Sequence, residues 1–88
     1  MREFLLELYV SRSGQGAVID GAGRAALAAQ RLRRDGASVN YVRSIFVPDD
    51  ETCFLIYEAR SADDVRRAAS LAGLPADHVL EVLEPDAW

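Results

Sequence analysis

Lysine is absent from this chain: all ten basic residues are arginine, set against 14 acidic ones, for a formal net charge of −4. Binding to nucleic acid needs a clustered positive surface that displaces counterions from phosphates, so this balance excludes it as an expected partner. The one dense basic run, Arg31, Arg33 and Arg34, suits the negative end of a helix dipole. Cysteine is nearly absent too. With Cys53 alone there is no disulfide framework and no paired metal-ligand spacing, and a reducing, cytoplasmic setting is expected. Long hydrophobic runs are missing: the opening MREFLLELYV is interrupted by Glu3 and Glu7 and is too short for a signal peptide or a membrane span. Gly14, Gly16, Gly21 and Gly23 lack the phosphate-loop spacings and read instead as a mobile connection.

What is present is enough for a single domain spanning 1–88. A domain of this size buries only about 60–65% of the surface its unfolded chain exposes, so a second buried interface would help it. Glu3 to Val10 alternates, with Phe4, Leu6, Leu8 and Val10 on one side and Glu3, Leu5, Glu7 and Tyr9 on the other, the pattern of a strand with one apolar face. After Ser11–Gly16, the spacing of Ala22, Ala25, Ala26, Ala29 and Leu32 predicts a helix ending near Asp35-Gly36, with Ser13 or Asp20 as its cap. Residues 38–60 predict a β-hairpin turning at Pro48-Asp49-Asp50. Ser61 caps a second helix whose buried stripe is Val65, Ala68, Ala69 and Ala72, and which stops at Gly73-Leu74-Pro75. His78–Leu83 supplies the fourth strand.

The order βαββαβ predicts an α+β, ferredoxin-like sandwich: a four-stranded antiparallel sheet with both helices on one face. The other face is expected to carry Leu5, Ile45, Phe54, Ile56, Val79 and Leu83, more exposed apolar surface than a soluble monomer usually tolerates. A homodimer follows, with sheets packed face to face as a dimeric α+β barrel and room for a small-molecule ligand between them.

The run Tyr41 to Pro48, then Cys53-Phe54, Tyr57-Glu58-Ala59, Val65-Arg66 and Ala72 to Asp77, resembles a family of small bacterial ferredoxin-like proteins of largely unknown function that includes dimeric nickel-binding proteins. The resemblance implies the fold and the dimer, and it raises nickel as a cofactor. Members often look like Glu-x-His near the end of the first strand. The matching residues here are Glu7, Leu8 and Tyr9, so no imidazole stands at that place.

In the hairpin, pairing Ile45 with Phe54, Arg43 with Ile56 and Tyr41 with Glu58 puts Tyr41, Arg43, Glu58, Glu7 and Tyr9 on one face. Such a group suits a cofactor-independent enzyme of monooxygenase, cyclase or isomerase type. Glu7 or Glu58 would be the general base and Arg43 the oxyanion partner, while Tyr9, Tyr41, Ile45, Phe54, Ile56 and Trp88 hold an aromatic or polyketide-like substrate. The same residues could be interface ion pairs in a non-catalytic binding module. Three glutamates sharing one arginine also allow a divalent cation, nickel or another, on Glu7, Glu58, Glu81 and His78.

Overall fold

The computed structural model describes residues 1–83; Glu84 and the expected anchor Trp88 lie outside the described residues. Strands β1 (Arg2–Tyr9), β2 (Val39–Val47), β3 (Thr52–Ala59) and β4 (Val79–Val82) form one sheet in the order β2-β3-β1-β4, every neighbour antiparallel. Helices α1 (Gln15–Arg34) and α2 (Ala62–Leu71) cross between them, which is the expected ferredoxin-like sandwich. No helix among the described residues is long and apolar enough to cross a membrane.

The core lies between sheet and helices and is asymmetric. The sheet contributes the large side chains Phe4, Leu6, Val39, Leu55 and Tyr57, while the helices contribute mainly alanine, Ala25, Ala29, Ala68 and Ala69. Alanine favours helix and lets the helix axis approach the sheet closely. In α1 the buried residues are Gly21, Ala25, Ala28, Ala29 and Leu32. Ala26, expected inside, is exposed. A stripe built almost wholly of alanine and glycine gives the period little contrast, which explains that small rotation.

Local chemistry sets the ends of the helices. Gly14 caps α1 with no side-chain bond, in place of Ser13 or Asp20. A Cβ at Gly14 would lie 2.6 Å from Cγ1 of Val10, so the close approach of the chain there requires glycine. Both helices end in Schellman turns. In α1 Ala37 N–H donates to the Leu32 carbonyl (2.9 Å) with Gly36 at φ 97°, and in α2 Leu74 N–H donates to Ala69 (2.9 Å) with Gly73 at φ 75°. Arg31, Arg33 and Arg34 occupy the last turn of α1, as expected. The Ser61 side chain caps α2, accepting from Asp64 N–H at 3.3 Å.

The hairpin departs from its expected register at one point. Ile45 pairs with Phe54 and Arg43 with Ile56, but a β-bulge at Val42 makes Tyr41 the partner of Tyr57 rather than Glu58. One extra residue in a strand moves everything beyond it to the opposite face. Tyr41 therefore turns toward the helices, where its ring meets Tyr57 edge-on at 5.8 Å and its hydroxyl sits 2.6 Å from that of Ser44. Asn40 takes its place opposite Glu58.

Tyr57 is fully buried, and its hydroxyl has no hydrogen-bond partner among the described residues. Desolvation, with a smaller contribution from Tyr41, pushes its phenol well above the ordinary range. A buried hydroxyl without a partner costs about 1–3 kcal/mol relative to one left in water. Tyr57→Phe removes the oxygen and keeps the ring, so it is expected to raise stability by about 1 kcal/mol in urea unfolding. A loss of stability would show that the hydroxyl has a partner in solution.

Candidate functional site

The face of the sheet away from the helices is a grid of cross-strand rows. From β2 to β4, the first row holds Asn40, Glu58, Glu3 and Val82. The second holds Arg43, Ile56, Leu5 and Leu80, and the third begins Ile45, Phe54, Glu7. Val47, Thr52 and Tyr9 close it. The expected apolar floor is present, with Ile45 40% and Leu80 54% exposed. Its fourth-strand members differ: Leu80 and Val82 face outward, while Val79 packs on the core. HVLEVL alternates acceptably in either phase, and pairing with β1 chooses between them.

The rows separate the proposed catalytic groups. Glu58 stands opposite Glu3, four residues along β1 from Glu7, so Glu7 and Glu58 are roughly 13 Å apart at ordinary strand rise. Leu5 and Ile56 fill the row between them, with Arg43 beside Ile56. Asn40 Nδ2 donates to Glu58 Oε1 at 3.4 Å. Glu3, directly opposite Glu58, adds a second carboxylate that the sequence reading left out. Its place on the outward side of β1 was the signal for it.

Glu81 is not on this face. It pairs in register with Phe4, and its carboxylate accepts from Arg2 Nε and Nη2, both at 2.8 Å, as a bidentate ion pair. The Arg2 hydrogen bond holds the Glu81 carboxyl below its usual range. The four-ligand set Glu7, Glu58, Glu81 and His78 is therefore not assembled within one chain. Among the described residues, no group of three or more His, Cys, Asp or Glu side chains could hold a metal ion.

Glu7 and His78 do come together. The β1–β4 register, continued one residue beyond Leu6 and Val79, brings His78 opposite Glu7, and Glu7 N–H donates to the His78 carbonyl at 2.9 Å. Both line a cleft of about 310 Å³ with Tyr9, Asp50, Glu51 and Thr52. The hairpin turn is fastened there to the end of β1. Val10 N–H donates to the Glu51 carbonyl at 3.0 Å, and Glu51 Oε2 accepts from Arg12 N–H (3.0 Å) and the Tyr9 hydroxyl (3.3 Å). The Glu51 charge holds the Tyr9 phenol above its ordinary range. Glu51 is thus engaged, whereas Glu7 and His78 supply a carboxylate and an exposed imidazole on neighbouring strands.

The family described as "nickel responsive protein SCO4226-like" matches residues 10–82. The chain belongs to the SCO4226-like family. Its fold is similar to that in a crystal structure of SCO4226 from Streptomyces coelicolor A3(2), with TM-score 0.65 and 26% identity over 93% of this chain and 96% of that one. No curated protein matches the chain. For a member of the SCO4226-like family, the relevant test is whether its own donors suit nickel. Imidazole and carboxylate are suitable by type. By number they are too few, since the described residues of one chain bring two to the same place.

Proposed function

We propose that this protein is a nickel-responsive homodimer that takes up a divalent cation at the Glu7–His78 end of its open sheet face. The observation that carries this reading is the position of the only histidine. The strand-one motif has Tyr9 where an imidazole would be expected, yet the fold returns His78 to the strand beside Glu7. Membership of a family described as nickel responsive supports the same reading. Two donors leave a first-row divalent ion incompletely ligated. A second copy packed on the open face brings a second Glu7 and His78, and the apolar floor supplies the reason to pack. An enzyme using Glu7, Arg43 and Glu58 together has less support, because Leu5 and Ile56 stand between the two carboxylates and hold them two rows apart.

Isothermal titration of tag-free protein with nickel tests the proposal. The wild type is expected to bind, and His78→Ala to bind at least tenfold more weakly, since groups that merely orient metal ligands are already worth about 10–100-fold. Absence of heat with the wild type at excess nickel would sink the metal reading. Unchanged affinity in His78→Ala would place the cation elsewhere.

A further inference from the structure

The helix side of the sheet holds a separate cavity of about 210 Å³ between α1, the ends of β1 and β3, and the turn after α2. Leu8, Val10, Val18, Cys53, Leu55 and Leu74 give it apolar walls. Among the described residues, Arg24 is the one charged side chain that lines it, in a chain whose net charge is −4. The guanidinium lies across the turn at the mouth, where a Cβ on Gly73 would come within 3.1 Å of Nη1. Its present partner is Asp20 at 3.0 Å, an exposed i,i+4 pair of the kind that contributes little and is readily exchanged.

The space is maintained by small residues. Gly21 is buried in the middle of α1 and faces the cavity, where its nearest neighbour to an added Cβ is Leu74 Cδ2 at 3.7 Å, an ordinary contact. Alanine would fit there and would favour the helix, so neither backbone conformation nor crowding requires glycine. The absence of a side chain leaves the cavity deeper. Cys53 forms part of the wall as a buried thiol raised by desolvation, which suits contact with an apolar group rather than nucleophilic attack.

We propose that this cavity binds a small apolar carboxylate of monocyclic-aromatic size, its ring among Val10, Val18, Leu55 and Leu74 and its carboxylate on Arg24. The size is suitable: a dry cavity of about 150 Å³ lined by apolar side chains accepts benzene, and this one is larger. The charge selects among such molecules, because an arginine at the rim of an apolar pocket pairs with a carboxylate and discriminates against an amine. The cavity lies on the helix side of the sheet and shares only Leu8 and Tyr9 with the Glu7–His78 cleft, and neither Glu7 nor His78 lines it, so its test does not rest on the nickel reading.

Titrating the full-length protein with phenylacetate, followed by ¹H–¹⁵N spectra, provides the test. The amides of Leu8, Val10, Cys53, Leu55 and Leu74 are expected to shift in a saturable manner. Arg24→Gln is expected to weaken phenylacetate roughly tenfold or more while leaving the neutral 2-phenylethanol unchanged, as the loss of a charged hydrogen-bond partner implies. Gly21→Leu is expected to abolish binding of both. Gly21→Ala, which projects one methyl into the space, carries the same test with a smaller loss should the leucine variant not give a dispersed spectrum. Failure of millimolar phenylacetate to move these amides, or equal weakening of acid and alcohol by Arg24→Gln, would overturn the proposal.

Discussion

Ile45→Asp or Leu80→Asp is expected to convert the proposed dimer to a folded monomer. Both side chains belong to the apolar face, at its two edge strands, and in a single chain they are 40% and 54% exposed. A carboxylate there remains in water in the monomer, so the fold tolerates it, and circular dichroism should change little. In a face-to-face dimer the same carboxylate is buried without a partner. An uncompensated buried charge costs about 3–5 kcal/mol, and a two-fold interface contains the substitution twice. The dimer should therefore weaken on the order of a thousandfold or more. Size-exclusion chromatography with light scattering at micromolar concentration reads this directly. A wild-type monomer would remove the dimer from the proposed function, and a dimer indifferent to both substitutions would assign its interface to another surface.

Nickel titration of these variants adds a second consequence. Among the described residues, one chain brings only Glu7 and His78 together, so a cation site completed by a second copy should fail when the copies separate. The aspartates are themselves metal-ligand types, but Ile45 is on β2, across Phe54 from Glu7. Loss of nickel affinity in Leu80→Asp alone would leave local charge as an explanation. Loss in both, in step with dissociation, ties the site to the dimer.

The sequence made the scaffold legible because its determinants are local. Alternation in residues 3–10, the Ser61 cap, the glycines at 36 and 73 and the Pro48 turn each act within a few residues, and each is where it was expected. The site was less legible because it depends on pairing between strands. The bulge at Val42 has no glycine or proline to mark it, and the apolar pair Tyr41-Val42 followed by the polar pair Arg43-Ser44 fits either phase. What supports it is the edge-on contact of Tyr41 on β2 with Tyr57 on β3, together with a hydrogen bond within β2 between the Tyr41 and Ser44 hydroxyls. That one extra residue removed Tyr41 from the open face. The phase of β4 was ambiguous for a similar reason, and it decided that Glu81 would meet Arg2 while His78 met Glu7. The cavity beside Gly21 went unread because it is defined by missing side chains on three separate elements.

Leu6→Ala is expected to cost about 3–5 kcal/mol, the upper part of the range for such truncations. Leu6 is fully buried in the cluster that includes Ala25, Ala29, Ala68 and Ala69. The cost of a large-to-small change depends on how far neighbours relax into the space, and alanine has no rotamer with which to do so. On the helix side of the cluster, closing the void requires movement of a helix, and both helices are held at their C-terminal ends by Schellman turns. At about 0.05–0.15 kcal/mol per residue, a domain of this length has only some 4–13 kcal/mol of total stability. The variant should therefore lose much of its folded population at moderate urea, with a lower midpoint and an unchanged slope. Leu27→Ala serves as the contrast: it deletes the same atoms from a site 64% exposed on α1 and should stay within about 0.5 kcal/mol of wild type. A loss below about 1.5 kcal/mol for Leu6→Ala would mean that neighbouring side chains or the helix layer close the void, against the stiffness argued from the alanine-rich helix side.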